Sequence, residues 1–320
     1  MASAVWMLFS GSGRSRRQPV KEIMKKMLNP QGKMIASMTI FGTLGLFVRN
    51  IPVSSGELAL YRAVLAVLLL AVVLIVTGRK IPFGRIKKEL PLLLISGAAL
   101  GVNWILLFEA YRYTTLSAAT LSYYFAPVIV TAACPVLFHE RLTGRQVLCF
   151  VMASLGLVLI TGVGNAGGSR GMTGIAFGLG AAVFYAAVVL LNKFIKNVDG
   201  IHRTFLQFLS AVLVLTPYVI LAGPVGLSSL NPVGWVNLII VGLIHTGVTY
   251  CLYFSALKEM PGQKAAILSY IDPLVAVLIS VTVLGEPMTA GQAVGGLLIL
   301  GFTLWNEIAP GAGRDSDGKS

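Results

Sequence analysis

Residues 126–146 read APVIVTAACPVLFHERLTGRQ, and residues 272–292 read DPLVAVLISVTVLGEPMTAGQ. The two stretches align without a gap. Pro127 falls on Pro273, Glu140 on Glu286, Thr143 on Thr289 and Gln146 on Gln292. The register extends outward to residues 101–155 and 247–301, where it adds Gly101/Gly247, Phe108/Phe254, Ala110/Ala256 and Tyr124/Tyr270. Apolar composition alone produces chance matches among Leu, Ala and Val. It does not so readily place Pro, Glu, Thr and Gln at one shared spacing. The chain carries one motif twice.

Around each copy the hydropathy pattern is that of a membrane protein. Of the 320 residues, 56% are hydrophobic and 12% charged, against about 25% charged in an ordinary soluble domain. Apolar stretches near 20 residues recur, each long enough to cross about 30 Å of hydrocarbon. The predicted spans are 33–49, 58–77, 90–110, 116–137, 145–163, 173–194, 203–222, 233–255, 265–284 and 290–308. That is an all-α integral membrane fold of ten transmembrane helices, five in each half. Five is odd, so the second half enters the bilayer in the opposite orientation. A 5+5 inverted repeat of this kind builds an alternating-access pathway at its interface. The expected organisation is a basic, disordered tail (1–32), a first repeat (33–163), a linker (164–171), a second repeat (172–309) and a disordered tail (310–320). The tail 1–32 reads as neither span nor cleaved signal. A chain beginning at Met24 is expected to insert normally.

The net charge of +13 is a topology signal rather than a nucleic-acid footprint. With the N-terminus inside, the inner connections hold Arg79, Lys80, Arg85, Lys87 and Lys88, the basic tail, and most other Lys and Arg. Only Arg49, Arg62, Arg112 and Arg170 fall on the outer side or at outer span ends. The positive-inside rule then places both termini in the cytoplasm of a multi-pass protein in the cell's inner or plasma membrane. The basic excess also favours anionic lipid. No nucleic-acid partner is expected. Cys134, Cys149 and Cys251 all lie within spans and read as packing residues, with no disulfide or metal spacing.

The candidate chemistry gathers at the repeated prolines. Pro127 and Pro273 lie mid-span, where each frees the carbonyl four residues earlier, of Tyr123 and Ser269. Freed backbone at that depth is tolerated only against protein or a wet cavity. Ser269, Tyr270 and Asp272 surround one proline and Tyr123 and Tyr124 the other. The alternative is a pair of packed kinks. Asp272 is the most informative residue, a carboxylate deep in a span that costs several kcal/mol unless paired, hydrated or protonated. It reads as an amine partner or a proton-coupling group, against a plain capping role for backbone freed at Pro273. His245 either joins Asp272 in a proton relay or simply bonds a neighbouring helix. Arg62 either holds a substrate carboxylate or snorkels to the interface. With Glu109, Glu57, Arg49 and Arg112 it suggests a charged outer vestibule, although Glu109 and Arg112 have the spacing of a helical pair. Asn103 and Trp104 align with Thr249 and Tyr250; Asn103, Trp104 and Tyr250 line a cavity or pack as core. Thr143/Gln146 and Thr289/Gln292 fit capping boxes at two helix starts.

The two quoted stretches resemble the paired EamA repeat of the drug/metabolite transporter superfamily. Its pattern is a mid-span Pro, an apolar run, Glu, Thr and a helix starting near Gln. The sequence LYRAVLA (60–66) places Arg62 where that family usually has an arginine. The resemblance covers residues 33–308; FHER (138–141) departs slightly from the family's usual glycine before the glutamate. It implies a ten-span inner-membrane carrier, often an exporter of metabolites or amino acids.

The expected function is a secondary transporter, exporting a small polar metabolite such as an amino acid or related amine by alternating access. The central cavity is expected between spans 1, 3, 4, 6, 8 and 9. An uptake permease or facilitator is the alternative. A membrane-embedded enzyme is disfavoured because no catalytic constellation is present. No Walker A sequence occurs, and no cofactor or metal is expected. The expected partners are a small-molecule substrate, the lipid bilayer and, through Asp272, a coupled proton.

Overall fold

A computed structural model describes residues 29–79, 81, 83–138, 143–161, 168–198, 200–222, 226–259 and 268–308. Most of the tail 1–32, residues 164–167 of the linker and the end segment 310–320 lie outside the described residues. So does Glu140. Among the described residues the fold is all helical. In chain order the helices are α1 (Pro30–Gly42), α2 (Leu44–Val48), α3 (Ser55–Val76), the single turn α4 (Phe83–Ile86), α5 (Leu90–Tyr113), α6 (Leu116–Tyr123) and α7 (Ala126–Phe138). Then follow α8 (Gly144–Thr161), α9 (Gly168–Phe194), α10 (Gly200–Ala222), α11 (Pro232–Ile239), α12 (Thr249–Glu259), α13 (Ile271–Thr282) and α14 (Ala290–Ile308). A π-helical stretch, Ile240–Val248, joins α11 to α12 without a break.

Ser55–Val76, Leu90–Tyr113, Ser169–Asn192, Gly200–Ala222 and Pro232–Tyr253 are long and apolar enough to cross a bilayer. Among the described residues, shorter apolar helices lie at 116–130, 144–160, 271–282 and 290–305. Two of the predicted spans are interrupted. The first breaks at Thr43, between α1 and α2, and the fourth at Tyr124–Phe125, between α6 and α7. This corrects the expected role of the prolines. Pro127 and Pro273 do not kink continuous helices. Each lies in the first turn of a new one, α7 or α13, where its missing N–H costs nothing.

Helix starts follow local sequence. Ser54 and Glu57 form a reciprocal capping box at α3. The predicted boxes are present as well. Thr143 N–H donates to Gln146 Oε1 at 2.8 Å and Gln146 N–H returns to Thr143 Oγ1 at 3.3 Å. Thr289 and Gln292 repeat this at 3.0 and 3.1 Å.

Packing exchanges helices between the halves. α5 lies along α9, and α12 along α1. α6 and α7 also pack on α9, as α13 packs on α1. α10 crosses α5, as the π-helical stretch crosses α3. Swapping the halves turns each of these contacts into another. The result is two groups, α1 with α12 and α13, and α9 with α5, α6 and α7. The pair α8 and α14 stands beside them. There Gly156 and Gly295 meet backbone to backbone. A methyl group on Gly156 would sit 2.6 Å from the Gly295 carbonyl oxygen, so only glycine permits this approach in a setting where close packing drives association.

Glu286 ties the two groups at one end. Its carboxylate accepts the Leu116 N–H at 2.8 Å, pairs with Arg49 and accepts the Ser280 hydroxyl. Ser280 and Ser117 hydroxyls lie 3.0 Å apart. The repeated glutamate thus makes an inter-group contact in the second half. At the other end Glu89, before α5, accepts the Lys196 and Asn197 N–H groups, each at 3.1 Å, and the Asn197 amide at 2.8 Å.

Candidate functional site

A cavity of about 230 Å³ lies between the two helix groups. α1 and α2 contribute Met38, Phe41 and Leu44; α5 contributes Asn103, Trp104 and Tyr111. Tyr123, Tyr124 and Pro127 come from the α6–α7 break, Tyr185 from α9, Tyr250 and Tyr253 from α12. Ser269 and Asp272 come from the start of α13, and Arg62 from α3. The lining thus draws on spans 1, 3, 4, 6, 8 and 9, with Arg62 of span 2 as the addition. Helix breaks explain why polar groups reach this depth. Each interrupted span turns a helix end inward, and helix ends carry unspent backbone groups and a partial charge.

Asp272 is the second residue of α13, so its carboxylate stands at a helix N-terminus, which favours negative charge. Its Oδ2 accepts the Tyr124 hydroxyl at 2.8 Å. The bond joins α13 of one group to the α6–α7 break of the other. Tyr124 packs at right angles to Tyr123, with ring centroids 5.8 Å apart, and Tyr123 lies 5.4 Å from Tyr185.

Arg62 is 2% exposed, which excludes snorkelling. Its Nε donates to Thr246 Oγ1 at 3.1 Å. The guanidinium carbon lies 4.6 Å from the Trp104 ring centre and 5.2 Å from that of Phe108, both cation–π contacts. Nη1 is buried and has no hydrogen-bond partner. Arg62 belongs to none of the ion pairs among the described residues.

Asn103 donates its amide to the Ala181 carbonyl at 2.6 Å, so it holds α9 to α5 as well as facing the cavity. Tyr270 stands just behind the lining, 7% exposed, its ring 6.5 Å from that of Tyr124. Three expectations are corrected. His245 does not bond Asp272 directly; its ring nitrogens meet Thr43 Oγ1 at 2.8 Å and the Ile240 carbonyl at 3.4 Å. Glu109 does not line the cavity and pairs with Arg112 at 3.2 Å, as its spacing allowed. Pro273 is buried at the start of α13 rather than on the lining.

A second, wider hollow of about 870 Å³ opens beside the first. Arg49, Glu57, Arg112, Arg170 and Tyr113 line it, and Phe108 and Tyr111 form the wall toward Arg62. Of the residues expected at a charged vestibule, Arg49, Glu57 and Arg112 lie on this lining and Arg62 and Glu109 do not. Sequence reading missed Tyr111, Tyr185, Tyr253 and Thr246. An aromatic residue in an apolar span carries no signal of which way it faces.

Comparison with known proteins agrees with this architecture. The model of the EamA-like transporter family matches residues 33–162 and again 172–306. The uncharacterized transporter YxxF of Bacillus subtilis is 31% identical over 272 residues, 83% of this chain and 86% of its own. An uncharacterized transporter of Archaeoglobus fulgidus is 29% identical over 288 residues, 87% of this chain and 96% of its own. One solved crystal structure superposes with a TM-score of 0.60 at 17% identity, covering 86% of this chain and 95% of its own. That last likeness concerns the fold alone.

Proposed function

The chain belongs to the EamA-like transporter family, and from that premise we propose that it exports a small zwitterionic metabolite such as an amino acid. One observation carries the reading. A buried guanidinium with an unpartnered N–H and a half-buried carboxylate stand on different helices around one aromatic cavity. An uncompensated charge in a membrane interior is costly, so a solute supplying both opposite charges is favoured there. Arg62 takes the carboxylate and Asp272 the ammonium, with the rings of Trp104, Tyr123 and Tyr250 around the apolar part. The volume suits a small metabolite, since pockets for drug-sized ligands span roughly 300–1,000 Å³.

Transport follows from the two helix groups. The repeats are inverted relative to one another, and the groups rock about the cavity between them, exposing it to each side in turn. Asp272 is the moving contact. Its bond to Tyr124 crosses between the groups, so an ammonium or a proton that takes Tyr124's place loosens that crossing. This gives the carrier a route to proton coupling. The vestibule is the outer mouth, and both termini lie on the cytoplasmic face, an orientation the distribution of basic residues favours.

The test is counterflow in proteoliposomes. Purified protein loaded with one unlabelled amino acid should accumulate the labelled form saturably, and cells carrying the protein should lose the same solute faster. A linear, non-saturating flux would favour the facilitator reading. Uptake without efflux would reverse the direction.

A further inference from the structure

The π-helical stretch Ile240–Val248 holds more residues per turn than the α-helices on either side, and such stretches cluster at functional positions. Side chains within and just after it mark the wider turn. Thr246 Oγ1–H donates to the Val241 carbonyl at 2.8 Å, and Thr249 to Ile244 at 2.7 Å, each reaching five residues back. Thr246 is fully buried. With its proton committed to Val241, its oxygen meets Arg62 Nε as an acceptor.

The stretch is also shaped to seat the helix that carries Arg62. Gly242 and Gly247 present bare backbone to Leu65 and Leu69, three and seven residues beyond Arg62 on one face of α3. A methyl at Gly242 would lie 2.6 Å from Leu65 Cβ. Span 2 and the π turn are therefore held in register, and the register brings Thr246 to Arg62.

The repeat supplies a contrast. Gln207 aligns with Arg62 in the other half. Both of its amide protons are placed, on Ser96 at 2.7 Å and on Asn192 at 2.8 Å. The fold places both donor hydrogens at this position in one half and leaves a buried, unpartnered Nη1 in the other.

An arginine side chain is long and flexible, and Asp272 lies on the same cavity. Opposite charges in a low-dielectric space attract strongly. A guanidinium free to swing would collapse onto that carboxylate, and a self-neutralised cavity would hold neither end of a zwitterion. We infer that Thr246 is a positioning residue that anchors Arg62 over Trp104 and Phe108, keeping it apart from Asp272 with its free edge toward a carboxylate solute. The inference rests on the assignment of Arg62 as the anion-holding group.

The experiment uses the full chain in nanodiscs with Trp104 as the sole tryptophan, Trp6, Trp235 and Trp305 being replaced by Phe. Trp104 lies under the guanidinium, so its emission reports where Arg62 sits. Thr246→Val keeps the shape and removes the acceptor; Thr246→Ser keeps the acceptor. The expected result is a changed Trp104 emission in the Val variant and a wild-type one in the Ser variant. Titration with L-leucine should be weakened about tenfold by Thr246→Val, the scale of one charge-assisted hydrogen bond, and restored in Thr246→Ser. L-Leucinamide, which lacks the carboxylate, should be indifferent to the change. Emission and L-leucine affinity both unchanged in Thr246→Val would overturn the inference while leaving the cavity assignment standing. L-Leucine binding that survives Arg62→Gln undiminished would remove the assignment and the inference together.

Discussion

Tyr124 donates its hydroxyl to Asp272 at 2.8 Å, although 148 residues separate the two and each comes from a different repeat. That bond is where the two helix groups touch through chemistry inside the cavity. Seven residues before Tyr124 and eight after Asp272, Ser117 and Ser280 meet at 3.0 Å. The antiparallel seam between α6 and α13 thus has one polar crossing at the cavity and another near Glu286.

Asp272→Asn keeps the shape of the side chain and removes its charge. Expression and monodispersity should stay normal, and transport should fall about tenfold or more, roughly 1.4 kcal/mol if the loss lies in binding. Tyr124→Phe removes only the crossing bond and should alter the rate more than the affinity. Wild-type flux and unchanged pH dependence in the Asn variant would leave Asp272 as helix architecture.

Rocking of the two groups requires the α6–α13 seam to part. In a chain lacking Cys134, Cys149 and Cys251, the pair Ser117→Cys and Ser280→Cys replaces hydroxyls 3.0 Å apart, close enough for a disulfide. Oxidation should arrest counterflow and reductant should restore it. Equal exchange in the oxidised and reduced forms would show that this seam stays shut throughout transport.

Glu286 should matter for stability. Glu286→Ala strands the Leu116 N–H and removes the Arg49 partner, which should cost about 1–3 kcal/mol. Glu286→Gln keeps an acceptor for Leu116 and should cost less. Thermal unfolding in detergent separates the two. An Ala variant as stable as wild type would mean water replaces both contacts.

Glu89 gives a pH signature. Burial raises the pKa of its carboxyl, but N–H donors from Lys196 and Asn197 and the Arg203 charge outweigh that and hold it below the usual value. A lowered carboxyl pKa contributes stability that is complete above the unfolded value, about 4.3. It is lost as pH falls through the folded value. The stability gap between wild type and Glu89→Gln should therefore be full at neutral pH and narrow below about pH 4.3. A gap that stays constant over that range would show the charge to be irrelevant.

Orientation is testable by labelling single cysteines in the same cysteine-free chain. Ser169→Cys and Ser228→Cys should react with an impermeant reagent from outside, and Gly84→Cys should be protected. Reaction of Gly84→Cys from outside would turn the protein over.

Much of this was legible from residues alone, for identifiable reasons. Hydropathy runs, capping boxes and repeat spacing are local properties. The starts at Thr143 and Thr289 follow from atoms three residues apart, so sequence specifies them fully. Asp272 stood out because a charge within an apolar run is rare and costly, whereas the burial of Arg62, open in the sequence between a substrate contact and snorkelling, was decided by packing. What was not readable depends on which side of a helix faces which neighbour. Pro127 looked like a kink and proved to start a helix, because proline is compatible with either and the preceding Tyr124–Phe125 turn decides. His245 is equally able to face α13 or α1, and packing turned it to Thr43. The exchange of α1 and α9 between halves, the aromatic lining from Tyr111, Tyr185 and Tyr253, and the Thr246 bond to Arg62 all join residues far apart in the chain. Helices in lipid lack a hydrophobic force to orient them toward one another, so their facing is set by close packing and hydrogen bonds, which exist only once the partners have met.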